Sequence, residues 1–303
     1  MKVLVLGGNG FIGRQVAASL RMQGAQVTVG SRMNPQNRAD DIVIRMQNMQ
    51  KASGWEPLLV CRNGQAKYDR VVNCVGILRE RGFGKNRETY ETIHTQAPGT
   101  LALACAKLGI RLIHISALGL SLDAKSRFIR SKYLGEQAIL VNGAPANIVR
   151  VPLLDGEGGY GARWFRRVAA WPVQLVMKSG GLVAPMQVTD LGEAIANLCV
   201  QPEVPQIVEF GGSETLSIPD YLHLLRKRSG RGKALQISVS PTFVRLASHL
   251  FDVIGWTPLS FGHFELMQGY NVPAYNFLPE LLGREPLETG VITTRRSPVF
   301  VTV

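Results

Sequence analysis

The first half of the chain alternates short apolar runs, rich in β-branched residues, with segments in which apolar positions recur at helical spacing. This alternation is typical of a parallel sheet whose strands are joined by crossover helices. The nearly continuous apolar runs indicate strands that are covered on both faces. The pattern predicts strands at 2–6, 26–29, 41–45, 70–75, 111–115 and 146–151. It predicts helices at 11–23, 88–108 and 127–141.

Beyond Pro152 the glycine and proline content rises and the alternation becomes irregular. The pattern there predicts helices at 163–177, 189–198 and 218–229, a strand at 207–210 and an apolar helix at 243–254. We therefore expect an α/β protein with a Rossmann-type, doubly wound parallel sheet over residues 1–152. Residues 153–303 are expected to form a smaller C-terminal α/β cap, some of whose elements return to the first domain.

The composition is that of a globular protein, with 46% hydrophobic and 18% charged residues among 303. No run approaches the roughly 20 apolar residues that span a bilayer. The apolar N-terminus leads straight into a glycine turn without a cleavage site, which predicts a buried first strand and not a signal peptide. We expect a cytoplasmic protein, possible also as a peripheral protein on the inner face of a membrane. Four scattered cysteines with apolar neighbours predict buried free thiols and no metal site: Cys61, Cys74, Cys105 and Cys199.

The formal net charge of +12 is the unusual bulk property. It is compatible with a basic surface without further role, or with attraction to cofactor phosphates, to an anionic membrane or to nucleic acid. The basic residues are spread along the chain and are not interleaved with aromatic ones. This distribution argues against nucleic-acid binding.

A glycine fingerprint follows the first predicted strand and opens the first helix, with Gly7, Gly10 and Gly13 at GxxGxxG spacing. The first glycine makes the turn, the second lets a pyrophosphate approach the backbone, and the third lets helix and strand pack closely. The free N–H groups at the helix start, near Phe11 and Ile12, then bind the pyrophosphate. The motif predicts a dinucleotide site.

The end of the second strand selects the dinucleotide. NAD sites usually place a carboxylate there for the ribose hydroxyls, but this chain has Ser31 and Arg32 and no carboxylate before Asp40. Arginine pairs well with a 2′-phosphate, so the sequence predicts NADP in preference to NAD; Arg32 as a solvated loop residue is the alternative. Gly76, at the end of the fourth strand, would let the backbone approach the adenosine ribose.

Several motifs then occur in the order found in atypical and extended short-chain dehydrogenases/reductases: GGNGFIG, VVNCVGIL, HISALG, RSKYLGE and VRVP. The tail motifs MQVTDL, FGGSE and QGYNV are similar to a subgroup of that family, which includes the nucleotide-binding accessory subunit of mitochondrial complex I and its bacterial relatives. The resemblance extends over nearly the whole chain. It implies a Rossmann fold and a nicotinamide cofactor.

Active members of this family use a serine and a YxxxK pair, in which the tyrosine exchanges a proton with the substrate oxygen. Ser116 and Lys132 match the serine and the lysine, but Phe128 occupies the tyrosine position and has no proton to give. Tyr133 is next to Lys132 yet points about 100° away around the helix. The resemblance thus assigns cofactor binding to Ser116 and Lys132. The alternatives are that Ser116 is a local backbone cap and that Lys132 is an exposed helix lysine.

Two further segments remain. Val151 and Pro152 resemble the family's backbone segment beneath the nicotinamide ring. The basic segment 163–178 places Trp164 and Trp171 beside arginines, which suits the interface of an anionic membrane or a partner protein; packing into a cap core is the alternative, as it is for 243–254.

Two functions follow from the sequence. One is an NADP(H)-binding protein, weakly or not catalytic, that serves assembly, stability or redox sensing near a membrane complex. The other is an active NADP(H)-dependent oxidoreductase or epimerase/dehydratase-like enzyme that acts on a carbonyl substrate with another proton donor. Regulatory dinucleotide binding of the NmrA kind is a third possibility.

Overall fold

A computed structural model describes residues 1–33, 41–177, 180–240, 265, 269 and 271–291. Its centre is a seven-stranded sheet in which every neighbouring pair is parallel. The strands of this sheet, given in their spatial order, are β3 Ile42–Val43, β2 Gln26–Ser31, β1 Lys2–Leu6, β4 Arg70–Asn73, β5 Arg111–Ala117, β6 Ala146–Val151 and β11 Ile207–Glu209. The order reverses between β1 and β4, which is the doubly wound Rossmann arrangement and confirms the predicted fold class.

The remaining elements are short strands and helices. The helices of the described residues are α1 Phe11–Met22, α2 Glu56–Leu59, α3 Ala97–Leu108, α4 Arg127–Val141, α5 Tyr160–Ala170, α6 Val188–Val200, α7 Ile218–Arg228 and α8 Leu278–Leu282. Single helical turns cover Met46–Asn48, Ala52–Gly54 and Gly84–Asn86, and a wide π-helical turn covers Glu91–Gln96. Three two-stranded sheets are formed by β7 Leu154–Asp155 with β10 Met186–Gln187, β9 Leu182–Val183 with β12 Leu216–Ser217, and β8 Val173–Met177 with β13 Leu235–Val239.

Helices cover both faces of the large sheet. Val3 and Val5 of β1 pack toward α1 and α6, whereas Leu4 and Leu6 pack toward the opposite face with α3. This division explains why the strand reads as an unbroken apolar run. Part of the C-terminal half completes the sheet, because β11 pairs with β6 and α6 lies against α1. No helix of the described ranges combines the length and apolar composition needed to span a membrane.

The predicted helix 163–177 is wrong in its second half. Helix α5 begins earlier, at Tyr160, and ends at Ala170, and 173–177 forms the strand β8. Pro172 explains the break, because proline disfavours helical backbone in the preceding residue and cannot donate a helical hydrogen bond. The predicted helix 243–254 lies outside the described residues.

The prediction of buried thiols is wrong for one cysteine. Cys105 and Cys199 are buried and Cys74 is half-buried, but Cys61 is exposed. Cys61 begins a tight turn in which its carbonyl accepts from the N–H of Gly64. The Cys61 side chain is left exposed in this turn. All four cysteines are free thiols.

Candidate functional site

The glycine fingerprint forms a tight turn between β1 and α1. Gly7 has φ +74°, a conformation that favours glycine, and its carbonyl accepts from the N–H of Gly10 at 2.8 Å. A Cβ on Gly13 would lie 2.7 Å from the Cα of Gly8, so only glycine lets the helix approach the turn this closely. No side chain caps α1 and no acid lies in its first turn. The helix therefore offers its free N–H groups to an anion.

A first cavity, of about 380 Å³, opens at the carboxyl ends of β1, β2 and β4. Ser31 and Arg32 line it, and the side-chain amide of Asn9 donates to Ser31 Oγ at 2.9 Å. Arg32 donates to both carboxylate oxygens of Glu88 at 3.3 Å, and Arg81 pairs with the same carboxylate. Two guanidinium groups thus share one buried carboxylate at the wall of this cavity.

This first cavity fits the adenosine end of a dinucleotide. It joins the uncapped helix start to a hydroxyl and two guanidinium groups, which are suitable donors for phosphate oxygens. Asn9, Arg81 and Glu88 were not among the residues predicted from the sequence. Arg81 and Glu88 follow β4, far along the chain from Arg32, and no local pattern signals that these residues meet.

A second cavity, of about 440 Å³, continues from the first. The two share Gly10 and the stretch 74–77 as lining. Eight of the residues predicted for the cofactor site line the second cavity: Gly10, Phe11, Ile12, Gly76, Ser116, Lys132, Val151 and Pro152. Gly7, Ser31 and Arg32 line the first cavity, and Gly13 lies beneath the turn. The structure therefore brings the predicted residues together around one continuous cleft.

Lys132 lies on α4 at the wall of the second cavity. Burial lowers the pKa of its ammonium from 10.5 to about 8, and the negative charge of Glu136 partly opposes this. Glu136 is fully buried one helical turn later, accepts from Ser116 Oγ at 2.5 Å, and pairs with Arg150 at 2.7 Å. The Ser116 hydroxyl is thus already engaged in a hydrogen bond to Glu136. Glu136 was not predicted as a site residue, although its position one helical turn after Lys132 places it on the same face of the helix.

Phe128 also lines the second cavity, one turn before Lys132. Its ring makes edge contacts with the rings of Tyr90 and His94, with centroid distances of 5.8 and 5.5 Å. The Tyr90 hydroxyl donates to the carbonyl of Leu78 at 2.8 Å. Tyr133 is half-buried and lines neither cavity, in agreement with the angle expected from the helix.

His94 fixes α4 against the wide turn that precedes α3. Its Nε2 accepts from the N–H of Ile77 at 3.1 Å, and its Nδ1 lies 2.9 Å from Ser131 Oγ. Burial and then the charge of Lys132 hold the pKa of His94 well below its ordinary value. A Cβ on Gly135 would overlap the carbonyl of His94. This close contact fixes the helix that carries Lys132.

His114 lies on β5 and is also buried. Its Nδ1 lies 3.1 Å from the Asn73 side-chain amide, and burial followed by the charge of Lys132 lowers its pKa to about 3. The lowered pKa values keep both histidines neutral near pH 7, whereas the half-buried Lys132, with its pKa of about 8, changes charge close to that range.

The region after Pro152 closes the second cavity with mostly apolar side chains. Those that line it are Leu153, Leu154, Tyr160, Trp164, Phe165, Val183 and Asn271. Asn271 is buried and donates to the carbonyl of Leu118 at 3.2 Å. Trp164 of the predicted basic segment thus faces the cleft, whereas Trp171 is exposed.

Parts of the chain are similar in sequence to known proteins. The profile of the RmlD substrate binding domain family matches residues 1–118. Subunit 9 of the NADH dehydrogenase [ubiquinone] 1 alpha subcomplex from Dictyostelium discoideum is 24% identical over 260 residues, which cover 84% of this chain and 71% of that protein. The dTDP-4-dehydrorhamnose reductase of Mycobacterium tuberculosis is 30% identical over 149 residues, or 43% of this chain and 49% of the reductase. The chain thus spans about half the length of that relative.

Solved structures share the fold over nearly the whole chain. The human epimerase family protein SDR39U1 with NADPH superposes with a TM-score of 0.65 at 18% identity, covering 96% of this chain and 97% of that one. The UDP-glucuronic acid 4-epimerase of Bacillus cereus, with UDP-glucuronic acid and NAD, gives 0.63 at 18% identity and 95% coverage of both chains. The first of these neighbours holds NADPH and the second holds NAD, and the likeness of both to this chain is one of fold.

Proposed function

We propose that this chain, which is similar to the RmlD-like epimerase/dehydratase family of short-chain dehydrogenases/reductases, holds NADP(H) with little or no turnover. In this proposal the protein serves the assembly, stability or redox sensing of a membrane-associated complex and lies peripherally on the cytoplasmic face of that membrane. Residues 1–152 carry the dinucleotide, and 153–303 form a smaller cap region, some of whose elements return to the first domain. The similarity of this chain to subunits of complex I supports the proposed role at a membrane-associated complex.

The observation that carries the proposal is Phe128. Its ring lines the cavity one turn before Lys132, where the family pattern requires a phenol. Carbonyl reduction needs a proton as hydride arrives, and a positioned acid contributes roughly 10²–10⁴-fold. The Ser116 hydroxyl donates its hydrogen bond to the Glu136 carboxylate and is therefore not directed at a substrate oxygen as a replacement acid. Lys132 retains a role without turnover, because its ammonium can donate to the ribose of a bound dinucleotide.

NADP is proposed over NAD because of the first cavity. Arg32 and Arg81 bring two positive charges to its wall, and Glu88 neutralises one of them. The net positive charge favours a 2′-phosphate. No carboxylate directly follows β2, where an NAD site would place one for the ribose hydroxyls.

An active oxidoreductase or epimerase/dehydratase-like enzyme is the second candidate. The observation in its favour is the cavity of about 440 Å³ beside Lys132, since it has room for more than a nicotinamide ring. Tyr160 also lines this cavity, and its phenol would be the proton donor in this second candidate.

Turnover decides between the candidates. Oxidation of NADPH would be followed by its absorbance across a panel of aldehydes, ketones and quinones, for wild type, Phe128→Tyr and Phe128→Leu. We expect slow oxidation by wild type and by Phe128→Leu, which also lacks an acid. Phe128→Tyr should be faster on any substrate that the cavity admits. Brisk turnover by wild type would overturn the proposal, and loss of that turnover in Tyr160→Phe would establish the second candidate.

A further inference from the structure

Four large apolar residues are exposed together on one side of the small sheet formed by β8 and β13, and exposed Trp171 lies just before β8. The strands are parallel, and their register pairs Val173 with Leu235 and Leu175 with Ile237. These four side chains are 44–63% exposed, and Trp171, just before β8, is 52% exposed. We call Trp171 and these four residues the apolar face.

On the opposite side of the same sheet, strand β8 is anchored in the protein, whereas Gln236 and Ser238 of β13 are exposed. Gln174 and Val176 alternate with the exposed residues and are buried, and Val176 packs in a cluster with Phe165 and Tyr221. Gln236 donates to the side-chain carbonyl of Gln174 at 3.2 Å. Because alternate residues of a strand point to opposite sides, this anchoring fixes the apolar face toward solvent.

Basic residues lie at the end of the sheet where both strands begin. The stretches 160–177 and 221–240 contain eight lysines and arginines and no carboxylate. Buried Arg226 donates to the carbonyl of Trp171 at 3.0 Å and to that of Gly232, so the loop before β13 is held next to Trp171.

The exposed cations beside this junction form what we call the basic rim. They are Arg167, Arg231 and Lys233. Among the described residues no carboxylate pairs with them, whereas Arg166 is neutralised by Asp155 and Arg228 by Glu288. Exposed apolar area bordered by unpaired positive charge is characteristic of proteins that bind anionic lipid surfaces.

We propose that the apolar face and the basic rim bind the surface of an anionic lipid bilayer. The apolar side chains enter the interface between headgroups and acyl chains, while the rim lies against the headgroups. Two copies of the chain that met through this face would bring their rims close together, and the like charges would repel. The inference deepens the peripheral location in the proposed function, on which it rests, and is independent of the dinucleotide.

The test is flotation of the full-length protein with vesicles of phosphatidylcholine, with and without phosphatidylglycerol. The face variant combines Leu175→Thr with Ile237→Thr, and the rim variant combines Arg167→Gln with Lys233→Gln. Each basic residue near an anionic surface contributes about a fivefold factor, so the rim variant, which lacks two of them, should bind about twenty-five-fold more weakly. The face variant should lose about tenfold or more through reduced apolar burial. Wild type should be released by salt.

A matched control combines Val141→Thr and Lys107→Gln, an exposed apolar and an exposed basic residue on α4 and α3. It should bind vesicles as wild type does. NADPH titration of every variant confirms folding and tests the cofactor site separately, because failure of flotation with normal NADPH binding overturns only the membrane inference. Equal binding to vesicles without phosphatidylglycerol, or self-association lost in the face variant, would also overturn it.

Discussion

Replacing Arg32 by alanine should remove most of the preference for NADPH over NADH. The Arg32 guanidinium lines the cavity at the end of β2, with Glu88 at 3.3 Å as its partner. A hydrogen bond to a charged group contributes roughly 1.5–3 kcal/mol. Because 53% of the Arg32 side chain is exposed, solvent screening favours the lower end. We therefore expect wild type to prefer NADPH by about tenfold or more, equivalent to about 1.4 kcal/mol, and Arg32→Ala to lose most of that preference.

Glu88→Gln should act in the opposite direction. The Glu88 side chain is only 7% exposed and pairs with both Arg32 and Arg81, so its negative charge opposes a nearby phosphate and competes for the same donors. Glutamine keeps the size and removes the charge. We expect NADPH to bind about threefold more tightly, or roughly 0.7 kcal/mol, with NADH affinity unchanged. Arg81→Ala should weaken NADPH selectively.

Titration calorimetry with NADPH and NADH on the wild type and these variants measures both predictions. Arg87→Ala is the control, because Arg87 is exposed, pairs with Glu80 at 3.4 Å and lines neither cavity. Equal affinity of the wild type for the two cofactors would refute the reasoning. So would a Glu88→Gln variant that loses NADPH affinity, since the carboxylate would then be supporting the site.

Other properties of the molecule can be tested in the same way. NADPH affinity should fall as pH rises through about 8, because Lys132 is an ammonium below that pKa and a neutral amine above it. In the same calorimetry, the NADPH affinity of Lys132→Met should stay constant between pH 7 and 9. A wild-type affinity that does not change with pH would contradict the assignment. Gly13→Ala should abolish NADPH binding measured by fluorescence, since its Cβ would force α1 away from the glycine turn; unchanged affinity would show that the turn adjusts. Asp155→Asn should lower the free energy of unfolding by about 3 kcal/mol, because it leaves Arg166 without its buried charged partner. Arg87→Ala, which breaks an exposed ion pair, should lower it by less than about 1 kcal/mol. Equal losses for the two variants in urea denaturation would refute this.

Much of the first half of the fold could be predicted because its signals are local, although the predicted helix 88–108 is α-helical only over Ala97–Leu108 and the predicted strand 41–45 is reduced to Ile42–Val43. Strand β6 and helix α4 have the predicted bounds, set by continuous apolar runs and helical periodicity. Segment 163–177 could not be assigned correctly from periodicity, since its apolar residues suit either a helix or a strand and Pro172 divides them. The proposed adenosine end was found only in part. Arg32 follows a strand at the expected place, whereas Arg81 and Glu88 meet it through a contact that local sequence does not encode.

The position of β11 has a consequence for how the protein is made on the ribosome. Until Glu209 has been synthesised, strand β6 is an open edge of apolar residues, and α6 is not yet available to cover Val16 and Leu20 of α1. An open apolar edge invites pairing with other chains. A nascent or truncated chain that ends soon after Pro152 should therefore need a chaperone to stay in solution, although it already contains the complete glycine fingerprint.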